Sequence, residues 1–283
     1  MSCRSMEFKS LEEKMDHARS LTNPLPDLGV DFKKLLKKGI GSNKVYLTYR
    51  DADQNRTEIT YRDFYEYVLN TARFYQSKGL QPGDKIATIS HNHWHTVVQY
   101  FAAWFCGLVV VPVNLGEDDS RVAYILENAE VKLALVRDEY AGRVQSIINK
   151  EITLSGIEMV VCDEDVACFS EEEGMLDDPE VDIESEALIV FTSGTTGNPK
   201  GVVLTQRNLL EDARSTSRWH NIDGQTKMMC VLPIHHVNGT VVTMITPFYV
   251  GGSTVLNQKF SAGHFFEVVE EEKVHIVSVV PTL

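Results

Sequence analysis

Three features that would assign a chain quickly are missing from these 283 residues: cysteines in ligand or bridge spacing, a membrane-length apolar segment, and an excess of positive charge. The five cysteines (Cys3, Cys106, Cys162, Cys168 and Cys230) are odd in number and show neither CxxC nor metal-finger spacing. A disulfide framework and a zinc site are therefore not expected, and the thiols should be reduced. Residues 1–25 carry scattered charges and no continuous apolar core, so neither a secretory signal nor an anchor is read there, and a cytoplasmic protein is expected. The stretch closest to a membrane span is VVQYFAAWFCGLVVVPV, Val97 to Val113. Gly107 and Pro112 interrupt it, and a buried helix ending near Gly107 followed by a buried strand accounts for the same residues.

The net charge of −13 excludes a nucleic-acid partner, but it is a local property. Twelve of the acidic residues lie in DEDVACFSEEEGMLDDPEVDIESE, residues 163–186, which holds no Lys or Arg and leaves the rest of the chain near neutral. That segment lacks the spaced ligands and turn glycine of a calcium loop and reads as a solvated connector. DFKKLLKKG, Asp31 to Gly39, predicts a helix with a wet lysine face.

What is present is an alternation of strand and helix. Apolar runs at Lys85–Ile89, Leu108–Val113, Val131–Val136, Ile157–Val161 and Ala187–Phe191 predict strands, with helices over His95–Phe105, Arg121–Asn128 and Ala141–Asn149 between them. The pattern continues with strands at Val202–Leu204, Met228–Leu232, Thr254–Leu256 and His275–Val280, and helices at Gln206–Arg214, Val241–Tyr249 and Phe265–Glu272. Continuous Val/Ile/Leu strands interleaved with helices predict a doubly wound α/β fold with mostly parallel sheets. In SHNHWH, His91, His93 and His95 alternate at a strand-to-helix turn, which predicts Asn92 as the helix cap and the histidines as surface residues rather than metal ligands.

The segment that carries chemistry is IVFTSGTTGNPKGVVL, Ile189 to Leu204. A strand opening into Ser, Thr and Gly with a lysine at the far end is an anion cradle: glycines let backbone amides turn inward, hydroxyls donate, and Lys200 adds a point charge. Gly194 and Lys200 have the spacing of a P-loop. Pro199 nevertheless occupies the second glycine's place, Gly201 replaces the magnesium-binding hydroxyl, and the following VVL predicts a strand where a P-loop opens a helix.

FTSGTTGNPKGV closely resembles the signature loop of the adenylate-forming superfamily, which includes acyl-CoA synthetases, luciferases and peptide-synthetase adenylation domains. GDKIATISHNHWHTVVQYFAAWFCGLVVVPVN resembles the family's early segment, LPIHHVNGTVVTMITPFYVGGSTVL its acyl-pocket segment, and VSVVPTL the strand that follows. The resemblance implies a lead segment over 1–44 and the N-terminal portion of the AMP-binding domain over 45–283. It also implies ATP, Mg²⁺ and coenzyme A as reaction partners of a carboxylic acid, which is converted to an acyl-adenylate and then to a thioester. Thr192, Ser193, Gly194, Thr195, Thr196, Gly197 and Lys200 are implied to hold the β- and γ-phosphates, with Thr192 also contacting the metal.

His236, Asn238 and Gly239 are implied to line the acyl pocket, with Lys200 and His236 as the catalytic residues. His235 is read as a core histidine. Peptide-synthetase domains place an aspartate in the pocket segment for the substrate ammonium, and His236 here favours a non-amino acid. Gln206 stands where family members often carry His. The family's later motifs, for adenine, ribose and the lysine of the C-terminal lid domain, are not in this chain, so the resemblance implies an N-terminal portion without the lid. Adenylation for another acceptor, such as a carrier-protein thiol or oxygen, and nucleotide binding without turnover remain alternative readings.

Overall fold

The computed structural model describes residues 28–114, 116–162, 176–192 and 198–280. The chain divides at Val30, and every element below belongs to the unit from Asp31 to Leu283. The strands are β1 (Val45–Arg50), β2 (Arg56–Thr60), β3 (Lys85–Ile89), β4 (Val109–Pro112), β5 (Val131–Arg137), β6 (Glu158–Cys162), β7 (Glu186–Thr192), β8 (Lys200–Thr205), β9 (Lys227–Cys230), β10 (Ser253–Asn257) and β11 (Ile276–Ser278). The helices are α1 (Phe32–Lys38), α2 (Tyr61–Ser77), α3 (Trp94–Cys106), α4 (Asp119–Asn128), α5 (Asp138–Lys150), α6 (Gln206–Trp219), α7 (Thr246–Val250) and α8 (Phe265–Glu271).

Two sheets form, as a doubly wound α/β chain predicts. The larger has the order β6-β5-β3-β4-β7-β8 and the smaller the order β11-β9-β10-β1-β2. Pairing is parallel throughout the larger sheet except at the β7–β8 hairpin. In the smaller sheet only β1–β2 is antiparallel. β4 is buried along its whole length, because helices cover both faces of a central parallel strand. α3 ends at Gly107, whose φ of 72° is open to glycine at little cost, and β4 follows at once. Among the described residues no helix is long and apolar enough to cross a membrane.

The region between 45 and 77 carries no strong apolar run, yet it forms β1, β2 and α2. β1 is a strand because β10, some two hundred residues later, pairs with it from Leu47↔Thr254 to Arg50↔Asn257. The expected helix over 241–249 is also different in detail: a π-helix over Asn238–Ile245 runs into α7. Hydroxyls fill its carbonyls, Thr243 donating to Gly239 O at 2.7 Å and Thr246 to Val241 O at 3.0 Å, and Pro247 supplies no N–H of its own.

An aromatic cluster joins the sheets. Phe248 of α7 packs edge-on to Tyr46 of β1 at 4.9 Å and to Phe101 of α3 at 4.7 Å. The lysine face of α1 is not wet throughout. Lys33 lies over the Phe105 ring at 4.8 Å and pairs with Asp178 at 2.6 Å, and Gln76 exchanges hydrogen bonds with the Asp177 backbone. The end of the acidic connector is thus fastened to α1 and α2, whereas residues 163–175 lie outside the described residues.

Glu272, 3% exposed, is the charge hub of the smaller sheet. It accepts from Arg50 Nη2 at 2.8 Å and Arg56 Nε at 2.8 Å, with Lys227 at 3.6 Å. Burial alone would raise its carboxyl pKa, but hydrogen bonds from Arg56 and Arg50 outweigh that and hold it below the usual range. A carboxyl with a depressed native pKa stabilises the fold above its unfolded pKa and loses that contribution as pH falls. Glu272→Gln should therefore cost about 2 kcal/mol near neutral pH, because it removes the negative charge that Arg50, Arg56 and Lys227 share while Arg50 keeps Glu271, and the gap should close in acid. Urea unfolding of both proteins at pH 7 and pH 4 measures this, and an equal gap at the two pH values would contradict it.

Candidate active site

The parallel strands of the larger sheet all run the same way, so the turn after β3, the segment after β4 and the loop after β7 emerge from one edge. Open α/β sheets hold ligands along that carboxyl edge. The cradle predicted from the sequence is the turn of the β7–β8 hairpin. Thr192 is the last residue of β7, Lys200 is the first of β8, and they are direct cross-strand partners. The Thr192 hydroxyl points across the pair, 3.5 Å from the Lys200 carbonyl oxygen. Both side chains are exposed. Among the described residues, Lys200 Nζ has no hydrogen-bond or ion-pair partner. Ser193, Gly194, Thr195, Thr196 and Gly197 lie outside the described residues.

Gly201 is needed where it is. A Cβ there would lie 2.9 Å from Ile189 Cγ2 and 3.2 Å from Phe191 Cζ, so the hairpin closes over β7 only with glycine at that position. A strand follows the lysine, as VVL predicted, and a helix-opening P-loop is excluded by structure as well as by residue identity.

The second set of expected residues lies beyond β9 of the smaller sheet. His236 is exposed on the turn that precedes the π-helix, while His235 beside it is half-buried, their rings 4.3 Å apart. Burial, and then the neighbouring His236, push the His235 pKa down to about 4, so it is neutral at physiological pH. Asn238 is tied to β11, accepting from Ser278 Oγ at 2.8 Å. Gly239 is buried against the turn: a Cβ would sit 2.4 Å from Pro233 O and 2.9 Å from Ile234 Cα. The spacing His-x-x-Gly therefore has a mechanical meaning, since glycine lets the first helical turn press on the backbone that carries His236.

Among the described residues no hydrogen bond joins the Thr192–Lys200 pair to the His236 turn. A polar link between their two sheets is Asn92, which the sequence suggested as a helix cap. The cap of α3 is instead His93, whose ring accepts from His95 N–H at 3.2 Å. Asn92 is buried and spans the gap between the sheets. Its Nδ2 donates to Leu232 O and Asn257 O, each at 3.0 Å, and its Oδ1 accepts from Ile234 N–H at 2.8 Å. The side chain at the end of β3 thus holds the backbone that leads to His235 and His236. The strand order puts β3 two spacings from β7, about 10 Å, so Asn92 leaves the larger sheet on the same carboxyl edge as Thr192.

His93 and His95 are buried, not surface residues as expected. His93 packs edge-on to Tyr49 of β1 at 4.8 Å, and His95 lies against Trp94 at 3.9 Å. Gln206 is buried as well and donates to Trp104 O at 2.9 Å, docking α6 on α3. Among the described residues no group of three His, Cys, Asp or Glu side chains is arranged to hold a metal ion. Cys106, Cys162 and Cys230 are buried thiols that form no disulfide among the described residues, and Cys3 and Cys168 lie outside the described residues.

Comparison with known proteins places the chain in a family. The family model for AMP-binding enzymes matches residues 41–283. A sulfoacetate–CoA ligase of Cupriavidus necator is 32% identical over 216 residues, covering 75% of this chain and 42% of that protein. A long-chain-fatty-acid–CoA ligase of Bacillus subtilis is 25% identical over 259 residues, covering 80% of this chain and 46% of its own length. The chain thus spans about half the length of the curated relatives it matches. A solved structure from Rhodopseudomonas palustris, described as a long-chain-fatty-acid CoA ligase, superposes with a TM-score of 0.78 at 20% identity, over 89% of this chain and 64% of that one. At that identity the likeness speaks to the fold.

Proposed function

Because the chain belongs to the AMP-binding enzyme family, which its residues 41–283 match, we propose that it carries the ATP-gripping and acyl-binding half of an AMP-forming acyl-CoA ligase. The acid it activates is a carboxylic acid without an amino group, of the fatty or another acyl class. In this reading residues 1–44 lead into the domain at 45–283. The observation that supports it most is the hairpin pair Thr192–Lys200, which closes a Ser/Thr/Gly loop and leaves an exposed ammonium with no partner among the described residues.

The substrate carboxylate oxygen attacks the α-phosphorus of ATP, the bond to the β-phosphate bridging oxygen breaks, and acyl-adenylate and pyrophosphate result. The thiolate of coenzyme A then attacks the acyl carbonyl carbon and AMP leaves. Lys200 and the loop hydroxyls hold the β- and γ-phosphates and stabilise the charge that collects on pyrophosphate as it departs. The Thr192 hydroxyl is exposed at the strand end and fits a single oxygen ligand. Mg²⁺ bound with the nucleotide would supply charge neutralisation of the phosphate oxygens. His236 stands at the mouth of the acyl pocket, where its imidazole positions the reacting carboxylate, and Asn238 and Gly239 fix the turn that bears it.

Incubating the protein that carries this chain with ATP, Mg²⁺, coenzyme A and a panel of alkanoates, dicarboxylates, sulfoalkanoates and amino acids tests this, with AMP and thioester measured by chromatography. ATP–Mg²⁺ binding by calorimetry is run alongside. Binding with product from one or more non-amino acids supports the reading, and binding without adenylate reduces it to a nucleotide-binding module. A chain that does not bind ATP–Mg²⁺ refutes it, and product only in the absence of coenzyme A dependence transfers the acyl group to another acceptor.

A further inference from the structure

A second cationic side chain sits on the same carboxyl edge, and the reading above makes no use of it. Arg137 is the last residue of β5 and the residue before α5, to whose N-terminus it gives no side-chain cap. It is 9% exposed, and its Nε and Nη1 atoms are buried with no hydrogen-bond partner. Among the described residues no carboxylate forms an ion pair with it. Glu139, in the first turn of α5, hydrogen-bonds instead with His91 Nδ1 at 2.8 Å and with Tyr140.

A guanidinium removed from water and given no acceptor is costly, and folded proteins keep such groups paired or give them a ligand. Arg137 helps hold the Glu139 carboxyl below its usual range, but among the described residues no ion pair or hydrogen bond joins the two. Across the β3–β5 pairing, Val136 faces Ile89, so Arg137 lies beside the turn that leads into His91, His93 and His95. Burial first, and then neighbouring charges including Arg137, push His93 down to about 2 and His95 down to about 3. Both imidazoles are therefore neutral at physiological pH, and the positive charge in this cluster belongs to arginine.

We propose that Arg137 is the seat of an oxyanion subsite, distinct from the triphosphate cradle, for a phosphate, sulfonate or carboxylate group. Strand order separates the two: β5 lies three spacings from β7, about 15 Å, so one triphosphate held at Lys200 does not reach Arg137. Two molecules of the proposed reaction can bring such a group to this edge, a phosphate of the thiol co-substrate or a second anionic group on the acid. The choice between them rests on the function proposed above. The subsite itself does not, and it is read without turnover.

The test is thermal unfolding of the chain titrated with inorganic phosphate at constant ionic strength, with chloride as the control, for the wild type, Arg137→Gln and Lys200→Ala. Phosphate should raise the midpoint of the wild type and of Lys200→Ala, and leave Arg137→Gln unmoved. Without phosphate, Arg137→Gln should unfold at the wild-type temperature or above it, because the substitution removes an unpaired buried charge. A midpoint lowered by several degrees would mean that Arg137 is a structural partner and would overturn the proposal. So would a phosphate effect that is absent, or that Lys200→Ala alone abolishes. Coenzyme A and malonate are then added separately against phosphate. Loss of the phosphate-dependent shift with coenzyme A assigns the thiol co-substrate, loss with malonate assigns the acid, and persistence with both overturns the role as a substrate subsite.

Discussion

Replacing Lys200 by alanine should slow acyl-adenylate formation on the order of 10²-fold, the usual consequence of removing one preorganised charge donor from a developing anion. The argument is local. Lys200 begins β8 opposite Thr192, so the hairpin register fixes its Cα at the mouth of the loop whatever the side chain does. Its ammonium is exposed and engages no acceptor among the described residues, so the substitution removes charge without removing a structural contact. The unfolding midpoint should stay within a degree or so of wild type, while ATP–Mg²⁺ affinity falls about tenfold, equivalent to about 1.4 kcal/mol. Lys200→Arg should recover part of the binding but less of the rate, since a planar fork replaces a compact ammonium. Isotope exchange between pyrophosphate and ATP in the protein that carries this chain reads the effect directly. Unchanged exchange in Lys200→Ala would assign the phosphate grip elsewhere.

Gly239→Ala should impair acid activation at least as severely and leave nucleotide binding intact. The added methyl group would meet Pro233 O at 2.4 Å and Pro233 C at 2.8 Å, and both are backbone atoms that cannot rotate away. Either the π-helix or the 233–236 turn must move, and His236 rides on that turn. A displacement of about 1 Å at a positioning residue costs on the order of 10²-fold in rate. The signature is a split: kcat with the acid falls and its KM rises, while calorimetric ATP–Mg²⁺ binding at the Lys200 hairpin stays as in wild type. Loss of ATP binding as well would show that the variant is misfolded, and circular dichroism separates that case. Wild-type kinetics in Gly239→Ala would remove the His236 turn from the acyl site.

Much of this molecule was legible before any coordinates. β3, β4 and β5 are strands because central parallel strands carry near-continuous apolar runs, here Ile86–Ile89, Val109–Pro112 and Leu133–Val136, bounded by turn signals. The apolar stretch from Val97 to Val113 resolves into α3 and β4 because only Gly107 takes a φ of 72° without strain. Pro199 and Gly201 excluded a P-loop, and the strand that follows them is there. All these signals are short-range: each is complete within a dozen residues of the chain.

The failures have a common cause as well. Asn92 reads as a cap because Asn before a helix usually is one, but its amide is taken by Leu232, Ile234 and Asn257 from the other sheet. His93 and His95 alternate like exposed turn residues and are buried, because β1 brings Tyr49 across His93, and His95 packs on His93 and Trp94. Lys33 loses its water to Asp178 and Phe105, and Glu272 gains Arg50, Arg56 and Lys227 from segments that have no mark of one another. The sequence by itself determined the fold class, the strand on either side of the Ser/Thr/Gly loop and the family, because those depend on periodicity, on the backbone freedom of individual residues and on a distinctive motif. Only the tertiary structure decided which side chains stand between the two sheets, and that Arg137 Nε and Nη1 are buried without an acceptor among the described residues. A hydrogen bond between residues more than a hundred positions apart leaves no local pattern, and its energy exists only once the sheets have met.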